Sequence, residues 1–177
     1  YADALPLFDK AVQLNPLDYR LYFERARVRL FLHHPPNDAL DDFSRARALE
    51  PNDTDMCYRE GLTWLDFRPE FAIIPWREII KRWPGYYFST LMQHSQNYPQ
   101  LREPLWNLAT TAELKLMYLS WVNTREEFER CLRSLLSVQP DLGGLDVTQR
   151  EQVFRMWYQL GDRSALISAL ETNRKWR

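Results

Sequence analysis

A four-residue pattern recurs four times along the chain with the same gaps of four, three and five. Ala4, Phe8, Ala11 and Pro16 set it, and Ala39, Phe43, Ala46 and Pro51 repeat it. Ala72, Trp76, Ile79 and Pro84 form a third copy; Phe128, Leu132, Leu135 and Pro140 form a looser fourth. Gaps of four and three put three side chains on one face of a helix. The proline five residues on cannot continue that helix. Small residues in the stripe let a neighbouring helix approach, and the large one fills the space between. A single helix cannot bury such a stripe alone, so each copy needs a partner stacked on it.

The partner precedes it in sequence. Tyr22, Ala26 and Leu30 share a face in one segment, and Cys57, Gly61 and Trp64 do so in the next. Gly inside a helix costs about 1 kcal/mol relative to Ala, so Gly61 predicts a close helix crossing. Stop signals at 33–38 (HHPPND) and 66–70 (DFRPE) separate the helices. Pro75 falls inside a helix expected over 70–82; either that helix starts late, near Ile73, or it is kinked, and the spacing of Ala72 and Trp76 favours the kink. Asp41 and Asp42 follow a turn and suit a helix N-terminus, where negative charge is favourable.

The prolines Pro16, Pro51 and Pro84 are separated by 35 and 33 residues. A helix–turn–helix unit of this period resembles the tetratricopeptide repeat. Residues 19–52 carry that family's pattern in Tyr22, Ala26, Ala39, Phe43, Ala46 and Pro51. Residues 54–84 carry it with Cys57 in place of an aromatic, then Gly61, Ala72, Trp76 and Pro84. Residues 1–16 read as the second half of a repeat, so the chain is expected to be a piece of a longer protein. The resemblance implies an all-α fold, a right-handed superhelical solenoid of antiparallel helix hairpins. Regular repeats are expected over 1–84, an irregular helical insert over 85–109 and divergent hairpins over 110–177, all in one continuous solenoid. Short helices are expected near 86–97 and 101–109, then pairs at 111–122 with 124–138 and 148–160 with 163–173. Capping boxes at Thr110/Glu113, Thr124/Glu127 and Thr148/Glu151 would open three of them, and LGD at 160–162 would turn between the last two.

The function classes narrow by what the sequence lacks. Net charge is −1, without the basic excess of a general nucleic-acid binder. No apolar run reaches the roughly 18 residues that cross a bilayer, so no membrane contact by this segment is expected. His33 and His34 are adjacent and lack the i, i+4 spacing of a helical metal pair; His94 stands alone. No serine-hydrolase elbow, zinc-protease helix or phosphate loop is present, and Gly143 with Gly144 forms an isolated loop pair. The reading is non-enzymatic, with no cofactor and no metal. Cys57 and Cys131 read as small buried hydrophobes, which fits a reducing compartment. A cytoplasmic setting is expected, and a periplasmic one if the parent is a membrane protein.

In the resembled family the first helices line a concave groove. That alignment implies Arg20, Phe23, Arg27 and Leu30 in one unit and Asp55, Tyr58, Leu62 and Leu65 in the next as groove residues. Arg and Tyr are enriched at binding hot spots, and an extended protein or peptide segment is the expected partner. The family's clamp for a C-terminal carboxylate is matched only at Arg27, so chaperone tails are not the expected ligand. Two alternatives stand beside this one. The first is the soluble C-terminal tail of a bacterial membrane protein of the O-antigen ligase or polymerase type, which handles surface polysaccharide. The second is self-assembly through end faces, since repeat arrays need caps. The aromatic cluster of YYF at 86–88, Trp106 and Tyr118 reads mainly as core, with an exposed subset available to a partner or a sugar.

Overall fold

The computed structural model describes residues 3–138, 142, 144–173 and 176. Pro140 and Gly143 lie outside them. Among the described residues the fold is all-α, without strands. Eleven α-helices follow one another: α1 (Ala4–Leu14), α2 (Tyr19–Phe31), α3 (Pro36–Leu49), α4 (Thr54–Phe67), α5 (Ile73–Arg82), α6 (Pro84–Ser95), α7 (Arg102–Leu108), α8 (Ala112–Trp121), α9 (Arg125–Val138), α10 (Val147–Leu160) and α11 (Arg163–Thr172). Short 3-10 turns at Pro69–Ala72 and Pro99–Leu101 precede α5 and α7. The chain divides into two compact units. The first runs to Pro84 and takes in Tyr98–Leu101; the second comprises Gly85–Asn97 and the chain from Arg102 onward. The segment 85–109, expected as a separate insert, is thus shared between the units.

In the first unit α2 packs on α1 and α3, and α4 packs on α3, α5 and α2. Two of the predicted stripes lie in the core: Ala39, Phe43 and Ala46 are buried, as are Ala72, Trp76 and Ile79, whereas Ala4, Phe8 and Ala11 of α1 are only half-buried. Edge-to-face rings run through this core from Phe23 to Phe43 (5.3 Å), on to Trp64 (5.6 Å) and then Phe71 (5.0 Å). Each such side chain stabilises the fold by roughly 1.5–3 kcal/mol through burial. Gly61 is the close crossing: a Cβ there would meet the Trp76 indole.

The helix ends repeat as the stripes do. The Asn15 N–H donates to Ala11 O (2.8 Å) and the Asp18 N–H to Asn15 O (3.3 Å). One period later the Glu50 N–H donates to Ala46 O (3.0 Å) and the Asp53 N–H to Glu50 O (3.3 Å). Asp18 and Asp53 then cap α2 and α4, their carboxylates accepting from the Arg20 and Met56 N–H groups.

Four local expectations are corrected. Pro75 does not kink a helix, because α5 begins at Ile73 after a 3-10 turn. The proline thus sits in the first turn, where its missing N–H would have had no partner. Asp42 is no exposed N-terminal acid; it is buried within α3 and accepts a fork of bonds from Arg25 Nη2 (2.6 Å) and Nε (2.9 Å). Arg29 also reaches it at 3.0 Å. The α8 cap is Thr111, one residue beyond Thr110. The α10 box is Asp146 with Gln149, two residues before Thr148 and Glu151, and α10 starts accordingly at Val147.

In the second unit α10 packs on α8, α9 and α11. Trp106 of α7 lies edge-on to Tyr118 of α8 (5.4 Å) and donates from its indole to Ser134 Oγ of α9 (3.1 Å). Both rings are buried, and so is Phe88, whereas Tyr86 is exposed. The aromatic cluster is therefore mostly core. Gly161 ends α10 and Asp162 caps α11, as the LGD turn predicts.

Candidate functional site

Helices α2 and α4 are joined by contacts between residues 34 and 35 apart. The Tyr19 hydroxyl donates to Asp53 Oδ2 at 3.0 Å. The Arg59 guanidinium lies over the Phe23 ring, 5.0 Å from its centroid, and reaches Glu24 Oε1 at 3.5 Å. These pairings bound a cleft of about 350 Å³ lined chiefly by Tyr19, Arg20, Phe23, Asp55, Met56 and Arg59.

Local sequence builds each wall. Asp18 starts α2 so that Tyr19, Arg20 and Phe23 occupy its first two turns. Asp53 starts α4 so that Asp55, Met56 and Arg59 do the same there. Phe23 is only 3% exposed and forms the floor, anchored on Phe43 behind it. Arg20 leans on the Tyr19 ring at 5.6 Å, and its guanidinium is held even more firmly charged by the Tyr19 hydroxyl, with Asp18 and Asp53 adding to the effect. Glu24 is shared: one oxygen meets Arg59 and the other meets Arg27 at 2.8 Å. These are part-exposed pairs, so their worth is about 0–1 kcal/mol each. Their effect is to hold the arginines in place beside an aromatic floor.

The structure gathers Arg20, Phe23 and Asp55 of the predicted groove residues into this cleft. Arg27 flanks it through Glu24. Tyr58 and Leu62 are half-buried on α4 outside its lining. Leu30 is 3% exposed and Leu65 is also buried, so both belong to the core rather than to a surface. The sequence reading missed Arg59, Glu24, Tyr19, Asp53 and Met56. A signal was present: Glu24 and Arg59 are opposite charges 35 residues apart, the same separation as Pro16 and Pro51.

His33 has a structural task. It takes a left-handed φ of 58° after α2. Its N–H donates to Leu30 O (2.9 Å), and that of His34 donates to Arg29 O (3.0 Å). This is the paired-bond helix stop usually given to glycine, and His is among the residues that tolerate it. Among the described residues no three His, Cys, Asp or Glu side chains gather as a metal would require. No described helix is long and apolar enough to cross a membrane. Cys57 and Cys131 are buried and unpaired, and burial pushes both thiols up to about 11. Comparison of the chain with protein-family models, with curated proteins and with solved structures found no match.

Proposed function

We propose that the first unit is a protein-interaction module of the tetratricopeptide-repeat kind, a short right-handed solenoid of helical hairpins that holds an extended partner segment in the α2/α4 cleft. The observation that carries the reading is the set of contacts between residues 34 and 35 apart, Tyr19 with Asp53 and Glu24 with Arg59, which set successive first helices side by side. The cleft they frame has the make-up of a binding hot spot: an aromatic floor, a methionine and two arginines. Arg20 on the α2 wall, with Asp53, Asp55 and Arg59 on the α4 wall, offers both signs of charge to a peptide backbone and its side chains. Recognition is by shape and contact, with no cofactor.

The test is selection of unstructured peptides from a random display library on the whole 177-residue chain. Selected peptides are expected to lose at least tenfold in affinity to the Arg20→Ala/Arg59→Ala protein, with its melting temperature unchanged. Binding indifferent to both substitutions would refute the assignment of the cleft.

One observation favours self-association as a second reading. Leu7, Leu14 and Leu17 are 69%, 77% and 74% exposed on and just after α1. Light scattering of the wild type and of Leu7→Asp/Leu14→Asp decides it: a concentration-dependent mass that the variant abolishes supports the reading, and a monomer throughout removes it.

A further inference from the structure

The second unit contains a pocket of a different character, about 300 Å³ in volume. Its walls come from the end of α6, the start of α7, the end of α8 and the first turn of α9. Gln96, Asn97, Arg102, Trp121, Asn123 and Glu127 line it, and Tyr118 lies at its base. The chemistry of these groups restricts what can enter.

The charges are already engaged with one another. Glu127 is met by Arg102 at 3.3 Å and by Arg130 at 3.8 Å, and it also accepts the Tyr118 hydroxyl. That hydroxyl lies 2.9 Å from the Arg102 carbonyl oxygen as well. Burial and the adjacent Glu127 raise the Tyr118 pKa, so the phenol stays protonated and neutral at physiological pH. A cation would have to take Glu127 from two arginines, which leaves a charge unmatched in a partly enclosed site. Arg102 meets Glu127 through one nitrogen only, so its other N–H groups can donate to a ligand oxygen.

What else remains unengaged is neutral and polar. The exposed carboxamides of Gln96, Asn97 and Asn123 make no side-chain hydrogen bond among the described residues, and neither does the half-buried Trp121 indole. A carboxamide donates two hydrogen bonds and accepts two. A ligand that matches three of them must itself donate and accept at several closely spaced points. The indole adds one flat apolar face with a polar N–H at its edge. The volume is at the small end of ligand pockets, which begin at about 300 Å³. A ring that is hydroxylated around its rim and presents C–H groups on its face fits all of these conditions.

We infer that this pocket binds a neutral carbohydrate residue, the sugar hydroxyls meeting Gln96, Asn97 and Asn123 and the ring face lying on Trp121. The site is separate from the α2/α4 cleft and stands or falls without it.

Saturation-transfer NMR on the whole chain tests the assignment. The probes are the methyl glycosides of glucose, galactose, mannose and N-acetylglucosamine, together with a methyl glucuronide and N-acetyl-alanyl-alanine amide. At least one neutral glycoside is expected to saturate in the millimolar range. Trp121→Ala should weaken it at least tenfold and Asn123→Ala roughly threefold or more, while Arg59→Ala leaves it unchanged. Should Trp121→Ala fail to fold, the exposed pair Gln96→Ala/Asn97→Ala reads the same site and should also weaken binding at least tenfold. The inference is overturned if no neutral glycoside saturates, or if binding survives these substitutions. It is overturned equally if the peptide amide or the glucuronide alone occupies the site.

Discussion

Replacing Gly61 by alanine should destabilise the first unit, although alanine is the better helix former. The helix preference alone favours the substitution by about 1 kcal/mol. Packing opposes it. A Cβ at position 61 would stand 2.5 Å from Cδ1 and 2.6 Å from Cε2 of Trp76, and would also press on its Nε1. Comfortable carbon contacts lie at about 3.5–4.0 Å, so the indole would have to retreat by about 1 Å. Trp76 is fully buried and lies on the predicted stripe beside Ala72 and Ile79, so it has nowhere to go. Overpacking of this kind costs about 1–3 kcal/mol, more when backbone must move, and several atoms of one rigid ring are involved here. The net expectation is a loss of about 2 kcal/mol. Urea unfolding followed by circular dichroism should show the midpoint falling by about 1 M at an ordinary slope. Gly85→Ala is the control, since a Cβ there meets nothing within 4 Å; it should be neutral or slightly stabilising. A Gly61→Ala protein as stable as the wild type would refute the close crossing of α4 and α5.

Three further outcomes are expected. Arg25→Met removes the fork of bonds to buried Asp42 and the 3.0 Å bond to Asp9, leaving Arg29 as the partner of Asp42; the loss should be about 2–3 kcal/mol, and an unchanged melting temperature would contradict it. Cys57 and Cys131, with thiols raised by burial to about 11, are almost wholly protonated at pH 8; a thiol reagent should label neither in the folded protein and both in urea, and rapid labelling of either would contradict their burial. Asp162 is held below the usual aspartate range, chiefly by the Ala165 N–H, with the Ser164 N–H and Arg125 adding to this against a small opposing effect of burial. A depressed carboxylate stabilises the fold above its unfolded pKa, near 4, and that contribution is lost as pH falls through the folded value. An acid titration of the second unit should therefore show a component below about pH 4 that Asp162→Asn lacks; an identical titration of the two proteins would contradict the cap.

The stripes were legible because helix burial follows a fixed period, and the helices from α6 to α11 lie close to where patterning put them. Boundaries were less legible where two signals competed. Pro75 looked like an interior breaker only because the 3-10 turn at Pro69–Ala72 hides where α5 begins. Thr148 and Glu151 had the spacing of a capping box, but Asp146 and Gln149 have it too, and aspartate caps at least as well as threonine. Asp42 could not be read as buried from its own neighbours, because its partners Arg25 and Arg29 lie on the preceding helix. The cleft was half legible. Arg20, Phe23 and Asp55 came from the alignment with the resembled family, whereas Arg59 was missed, because its partner Glu24 lies 35 residues away on another helix. Leu30 was placed in the groove by the alignment with the resembled family, whereas its own stripe with Tyr22 and Ala26 puts it in the core, where it is buried.

The central claim is that successive first helices of the first unit frame a peptide-binding cleft. Chemical-shift mapping of the isotope-labelled chain with a display-selected peptide tests it most directly. The account predicts saturable shifts concentrated at residues 19–24 and 53–59, abolished by Arg20→Ala/Arg59→Ala. Saturable shifts centred elsewhere in the chain, or shifts that survive the double substitution, would contradict it.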